Sequence, residues 1–87
     1  MIRRHEDELM NRFDALYANG WTQFTRDELL LWYGLVRMTK TVYADLNDRW
    51  ERTLDSYAKE AEDVSVIVKG ETFLLFRQSL AVDLSDL

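Results

Sequence analysis

The chain has 87 residues, a formal net charge of −5, no cysteine and no proline, and 47% of its residues are hydrophobic. One domain spanning residues 1–87 is expected at this length, and the lack of cysteine excludes disulfides and thiolate metal sites. The charge repels nucleic acid and anionic membranes and favours basic partners, while three Trp, four Tyr and four Phe provide bulk for a core and argue against a disordered chain.

The opening MIRRHEDELM carries an Arg pair but lacks the apolar stretch of a secretory leader. No window approaches the roughly 20 apolar residues that span a bilayer. A cytoplasmic protein with no membrane partner is therefore expected. Leu9, Phe13, Leu16 and Tyr17 recur at helical spacing and predict a helix over 3–19. Asn19-Gly20 is its stop, because glycine adopts the left-handed conformation that closes a helix, and Trp21 is placed to fold back on the last turn.

FTRDEL opens the second helix. Thr25 as N-cap and Glu28 three residues on form a capping box, with Phe24 and Leu29 as the hydrophobic staple. The short link from Gly20 to Thr25 predicts antiparallel neighbouring helices. The stretch LLLWYGLVRM at 29–38 is apolar on nearly every face. Its Trp32, Leu35 and Val36 are expected to meet Phe13, Leu16 and Tyr17. Its Leu30 or Leu31, with Met38, is expected to meet a hairpin, and Gly34 to mark a close backbone approach.

No clear stop follows until about residue 62. Asp45 with Arg49, Asp48 with Arg52 and Asp55 with Lys59 are acid-to-base pairs four apart, in the order that supports a helix. A helix over 26–62 would be about 50 Å long at ~1.5 Å per residue. The first helix covers only part of that, so the second either breaks, near Thr39–Thr41 or Asp45–Asp48, or finds another surface.

Val64, Val66 and Val68 alternate with Ser65, Ile67 and Lys69, a strand pattern over 64–69. Gly70-Glu71 suits a two-residue turn, and 72–77 returns as the second strand, with Val68 opposite Phe73 and Val66 opposite Leu75. A third short strand over 80–84 would complete a meander, and a helix over 71–80 is the competing reading of this run. The fold class is α+β: two antiparallel helices, the second very long or broken, then a C-terminal hairpin or three-stranded meander.

No chemistry stands out. His5 is the one histidine, near a chain end, and HEDE lacks the second His of a zinc helix. DLNDRWE begins like a calcium loop, but Arg49 and Trp50 stand where an oxygen ligand and glycine are needed. The glycines stand singly, so no phosphate cradle is legible. Arg3, Arg4, Arg12, Arg26, Arg37 and Lys40 do not share a stripe, and direct nucleic-acid binding is disfavoured. The reading is a non-enzyme without cofactor or metal.

Val36, Tyr43, Trp50 and Tyr57 recur every seven residues. Either they are core beneath the hairpin, or part of the stripe is an interface, since aromatics concentrate in interface cores. Tyr43, Leu46, Trp50, Leu54 and Tyr57 are the candidate protein interface, and Glu60, Glu62 and Asp63 are candidate acidic contacts. The expected function is a small protein-binding module that forms a homodimer, binds another protein such as a basic nuclease or polymerase surface, or does both. In size and charge it is like the phage- or mobile-element-encoded inhibitors that sterically block host proteins, anti-CRISPR proteins among them, although no residue pattern carries that likeness. The alternative is a structural homo-oligomeric subunit of a larger assembly.

Overall fold

A computed structural model describes residues 1–87. Its elements are α1 (Arg3–Asn19), β1 (Trp21–Thr25), α2 (Arg26–Tyr33), α3 (Lys40–Ser56), β2 (Val64–Lys69) and β3 (Thr72–Arg77), followed by 3-10 turns at Gln78–Leu80 and Leu84–Asp86. The three strands form one antiparallel sheet in the order β1-β3-β2.

The expected α+β class holds, with three α-helices in place of two. α1 ends as anticipated: Gly20 is left-handed and its N–H donates to the Leu16 carbonyl. The capping box is also present. The Glu28 N–H donates to Thr25 Oγ1 at 3.2 Å, and the Thr25 N–H donates to Glu28 Oε1 at 2.9 Å.

The link between these signals is where the topology departs from expectation. WTQFT, read as a connection, is strand β1, and it pairs with β3 along its whole length. Its alternating aromatic and β-branched residues suit a pleated, half-buried surface. The third strand of the sheet is therefore β1, and residues 80–84 form no strand. Within 71–80, Thr72–Arg77 is strand and Gln78–Leu80 a single 3-10 turn, so the competing α-helix does not form. The hairpin register is as expected, with Val68 opposite Phe73 and Val66 opposite Leu75.

No continuous helix runs over 26–62. α2 stops at Gly34, which is left-handed and donates its N–H to the carbonyls of Leu30 and Leu31. A Cβ there would meet nothing within 4 Å, so this glycine is a helix terminator and not a point of close approach. α3 begins after a short irregular link with bends at Val36 and Arg37. It closes at Tyr57 and Ala58, well short of residue 62, with the Lys59 N–H on the Leu54 carbonyl. Ala58 sits at φ 53, a left-handed angle that disfavours side chains.

The core forms where α1 and α3 lie on one face of the sheet. Phe13 packs on Phe24 and Trp50, with ring centroids 5.9 and 6.5 Å apart. Leu9, Leu16, Leu29, Trp32, Val42, Leu46, Leu54, Phe73 and Leu75 complete the cluster. Trp32 meets the edge of Phe24, whereas Leu31 and Val36 are 64% and 92% exposed. The apolar stretch 29–38 is thus buried on one side only.

Candidate protein-interaction surface

The seven-residue aromatic stripe divides between core and surface. Trp50 is 2% exposed, and its indole N–H donates to the Glu62 carbonyl at 2.9 Å, tying the segment after α3 to the core. Leu54 and Leu46 are buried beside it. These three of the five candidate interface residues are buried in the chain's own core, and Leu46 and Trp50 also floor an apolar groove. Tyr43 and Tyr57 remain exposed at 47% and 46%. Tyr43 meets Phe73 edge-on at 6.2 Å. Tyr57 stacks on Tyr17 at 4.0 Å and donates its hydroxyl to Asp14.

The acidic candidates also divide. Glu62 accepts two hydrogen bonds from Arg77, at 2.6 and 2.9 Å. The same guanidinium lies over the Tyr17 ring and donates to the Tyr17 carbonyl. Glu62 is therefore a structural partner of β3. Glu60 and Asp63 are exposed and have no salt-bridge partner within the chain.

Hydrogen bonds from Arg77 hold the Glu62 carboxyl below the ordinary carboxylate range, and Arg12 does the same for Glu28. Arg12 also donates to the Gln23 carbonyl and lies over Phe24 and Trp32. Burial works to raise the Asp45 carboxyl, but hydrogen bonds from Tyr33 and Arg49 outweigh it and hold it low. Burial, followed by the bond to Asp45, pushes the Tyr33 hydroxyl up. Two of the three predicted helix pairs form, Asp45–Arg49 at 2.7 Å and Asp48–Arg52 at 3.3 Å. The third does not, because Lys59 lies beyond the end of α3.

Uncovered apolar side chains occur at the chain ends and in the link after α2, and a further group lies on the sheet. Side chains alternate between its two faces, so the register fixes their neighbours. Thr22, Leu75 and Val66 form one row towards the helices, and Phe24, Phe73 and Val68 the next. On the opposite face the rows are Trp21–Phe76–Ser65 and Gln23–Leu74–Ile67, bounded at the turn end by Thr25–Thr72–Lys69. Trp21 and Ile67 are 53% and 52% exposed, with Leu74 and Phe76 half-buried between them. The helical layer covers the other face.

Even on the helix side, cover stops before β2. Val66 and Val68 are 53% and 60% exposed. They line an apolar groove of about 210 Å³ between the hairpin and α3, where Tyr43, Leu46 and Trp50 form the opposite wall. Strand β2 thus carries three valines on its helix-side face and Ile67 between Ser65 and Lys69 on the other, and it lies at the sheet edge.

Trp21 is the residue that sequence reasoning misplaced. The alternation of Trp21, Thr22, Gln23, Phe24 and Thr25 was the available signal, hidden by its brevity between two strong helix boundaries. No helix is long and apolar enough to cross a membrane, and no three His, Asp or Glu side chains group to hold a metal. Comparison with known proteins finds no matching family, curated protein or solved structure.

Proposed function

We propose that this chain is a non-enzymatic protein-binding module that acts by covering a site on another protein, and that it docks through the outer face of its sheet. The observation that carries the reading is the outer-face cluster of a small three-stranded sheet, in which Trp21 and Ile67 are about half exposed and Leu74 and Phe76 are half-buried between them. Contiguous exposed apolar surface marks interaction sites, and Trp is the residue type most enriched among binding hot spots. The net charge of −5 favours a partner with a basic surface, such as a nuclease or polymerase. Glu60, exposed and without an ion-pair partner in the chain, is free to meet its cations. Steric inhibition of such a host protein, as in the phage-encoded anti-CRISPR class, is the role that suits a small acidic chain with one apolar docking face.

The test is affinity capture from a host lysate with the parent chain and with Trp21→Glu. The charged variant is expected to fold and to lose the partner that the parent recovers. Equal recovery by the two, or recovery of nothing by the parent, contradicts the reading. A structural subunit of a larger assembly would instead give a large homo-oligomer with no host partner.

A further inference from the structure

The open edge of β2 offers backbone hydrogen-bonding groups as well as apolar side chains. In the β1–β3 ladder, the Arg26 N–H donates to the Glu71 carbonyl and the Arg77 N–H to the Gly20 carbonyl. The odd-numbered residues of β3 therefore direct their backbone groups to β1, and the even-numbered residues direct theirs to β2. Thr72, Leu74 and Phe76 face Lys69, Ile67 and Ser65, which bond inward. By the same alternation, the N–H and C=O groups of Val64, Val66 and Val68 point off the edge of the sheet.

We infer that this edge is a self-complementary seam, at which β2 of a second copy pairs antiparallel about a two-fold axis through Val66. In that register Val66 meets Val66, and Val64 meets Val68 of the other copy. All three valines present their open backbone groups as hydrogen-bonded pairs. Ser65 falls opposite Ile67, and Asp63 opposite Lys69. Both of these charged residues are exposed, and neither has an ion-pair partner within its own chain. The two-fold axis supplies each with one, twice over. Opposite charges placed directly across an antiparallel pair stabilise it and like charges destabilise it. That selects this register over the next one that keeps the backbone groups paired. There, with the axis at Ile67, Asp63 would face Glu71.

Edges of this kind are normally blunted by short length, charge or proline. This one has six residues, VSVIVK, with a single charge at its end. The seam uses the edge of the sheet and leaves the outer face of Trp21 free, so it goes beyond the docking reading and can fail independently of it.

The test is sedimentation of the parent chain together with three variants. The parent should show a monomer–dimer equilibrium in the micromolar range. Val66→Pro removes an N–H that serves no bond within the chain, so the protein should still fold, as circular dichroism would show, and remain monomeric. Asp63→Lys should weaken the dimer, and the swapped pair Asp63→Lys with Lys69→Asp should restore it. Because the chain has no cysteine, Val66→Cys should give one disulfide-linked dimer on mild oxidation. Paired residues of that type lie about 5.5 Å apart, within disulfide reach. A parent that is monomeric throughout the micromolar range, or a folded Val66→Pro variant that dimerises like the parent, overturns the inference. So does a monomeric parent whose captured partner is lost with Val66→Pro, which would assign the edge to a foreign strand.

Discussion

Three side chains and two backbone angles carry much of the account at the residue scale. Trp50 is a core residue, and Trp50→Ala should cost about 3–5 kcal/mol in denaturant melts, as expected for a large buried aromatic. Trp21→Ala should cost less than about 1 kcal/mol, because surface changes perturb stability little. Equal losses would mean that the burial assigned to the two residues is wrong. Thr25→Ala should cost about 1 kcal/mol through the lost cap; a melt matching the parent would remove the capping box from the account. Ala58 holds a left-handed angle that costs an L-residue roughly 1–2 kcal/mol. Ala58→Gly should therefore raise the melting temperature. Gly20→Ala should lower it, for the same strain and because a Cβ there would lie 3.0 Å from Leu80 Cδ1.

The salt-bridged carboxylates add a pH dependence at this scale. Glu28 and Glu62 are both held below their ordinary value of 4.5, so near that pH the unfolded chain binds more protons than the folded one. Their contribution is fully present above pH 4.5 and is lost as pH falls through the lower folded values. Melts taken from pH 7 down to pH 3 should show that loss, and Arg77→Met should flatten the acid limb by removing the partner of Glu62. An unchanged acid limb in that variant would contradict the pairing.

At the scale of elements, legibility followed local chemistry. The end of α1 at Gly20 and the start of α2 at Thr25 are written in glycine and capping residues, and both are where the sequence places them. The hairpin register followed from the Gly70-Glu71 turn and the alternation around it. The end of α3 carries no such mark. Ala58 takes the left-handed position that glycine usually fills, and the chain beyond is fixed at a distance: Trp50 holds the Glu62 carbonyl and Arg77 holds its carboxylate. Helical periodicity continues through this region, so one long helix was the natural reading, while tertiary bonds end it. β1 was missed for the opposite reason. Five residues between two helices read as a loop until a distant strand, β3, is available to pair with them.

For the whole molecule, the α+β class was legible because it needs only the type of each segment. The position of the proposed docking surface was not, because it depends on which face the helices leave bare. The sequence drew attention to the aromatic stripe of α3, and size alone suggested that a long helix would have uncovered surface. Shortening that helix moves Leu46, Trp50 and Leu54 into the core. Uncovered apolar side chains stand instead on the sheet, at Trp21 and Ile67 on one face and at Val66 and Val68 beside the edge of β2, as well as at the chain ends and after α2.

Tryptophan reactivity measures that shift directly. Trp21 is 53% exposed, whereas Trp32 and Trp50 are 5% and 2% exposed. Oxidative labelling of the folded chain, read by mass spectrometry, should therefore modify Trp21 and spare the other two. Adding the partner recovered by affinity capture should protect Trp21. Labelling at Trp21 that is unchanged in the complex would contradict docking through the outer face of the sheet.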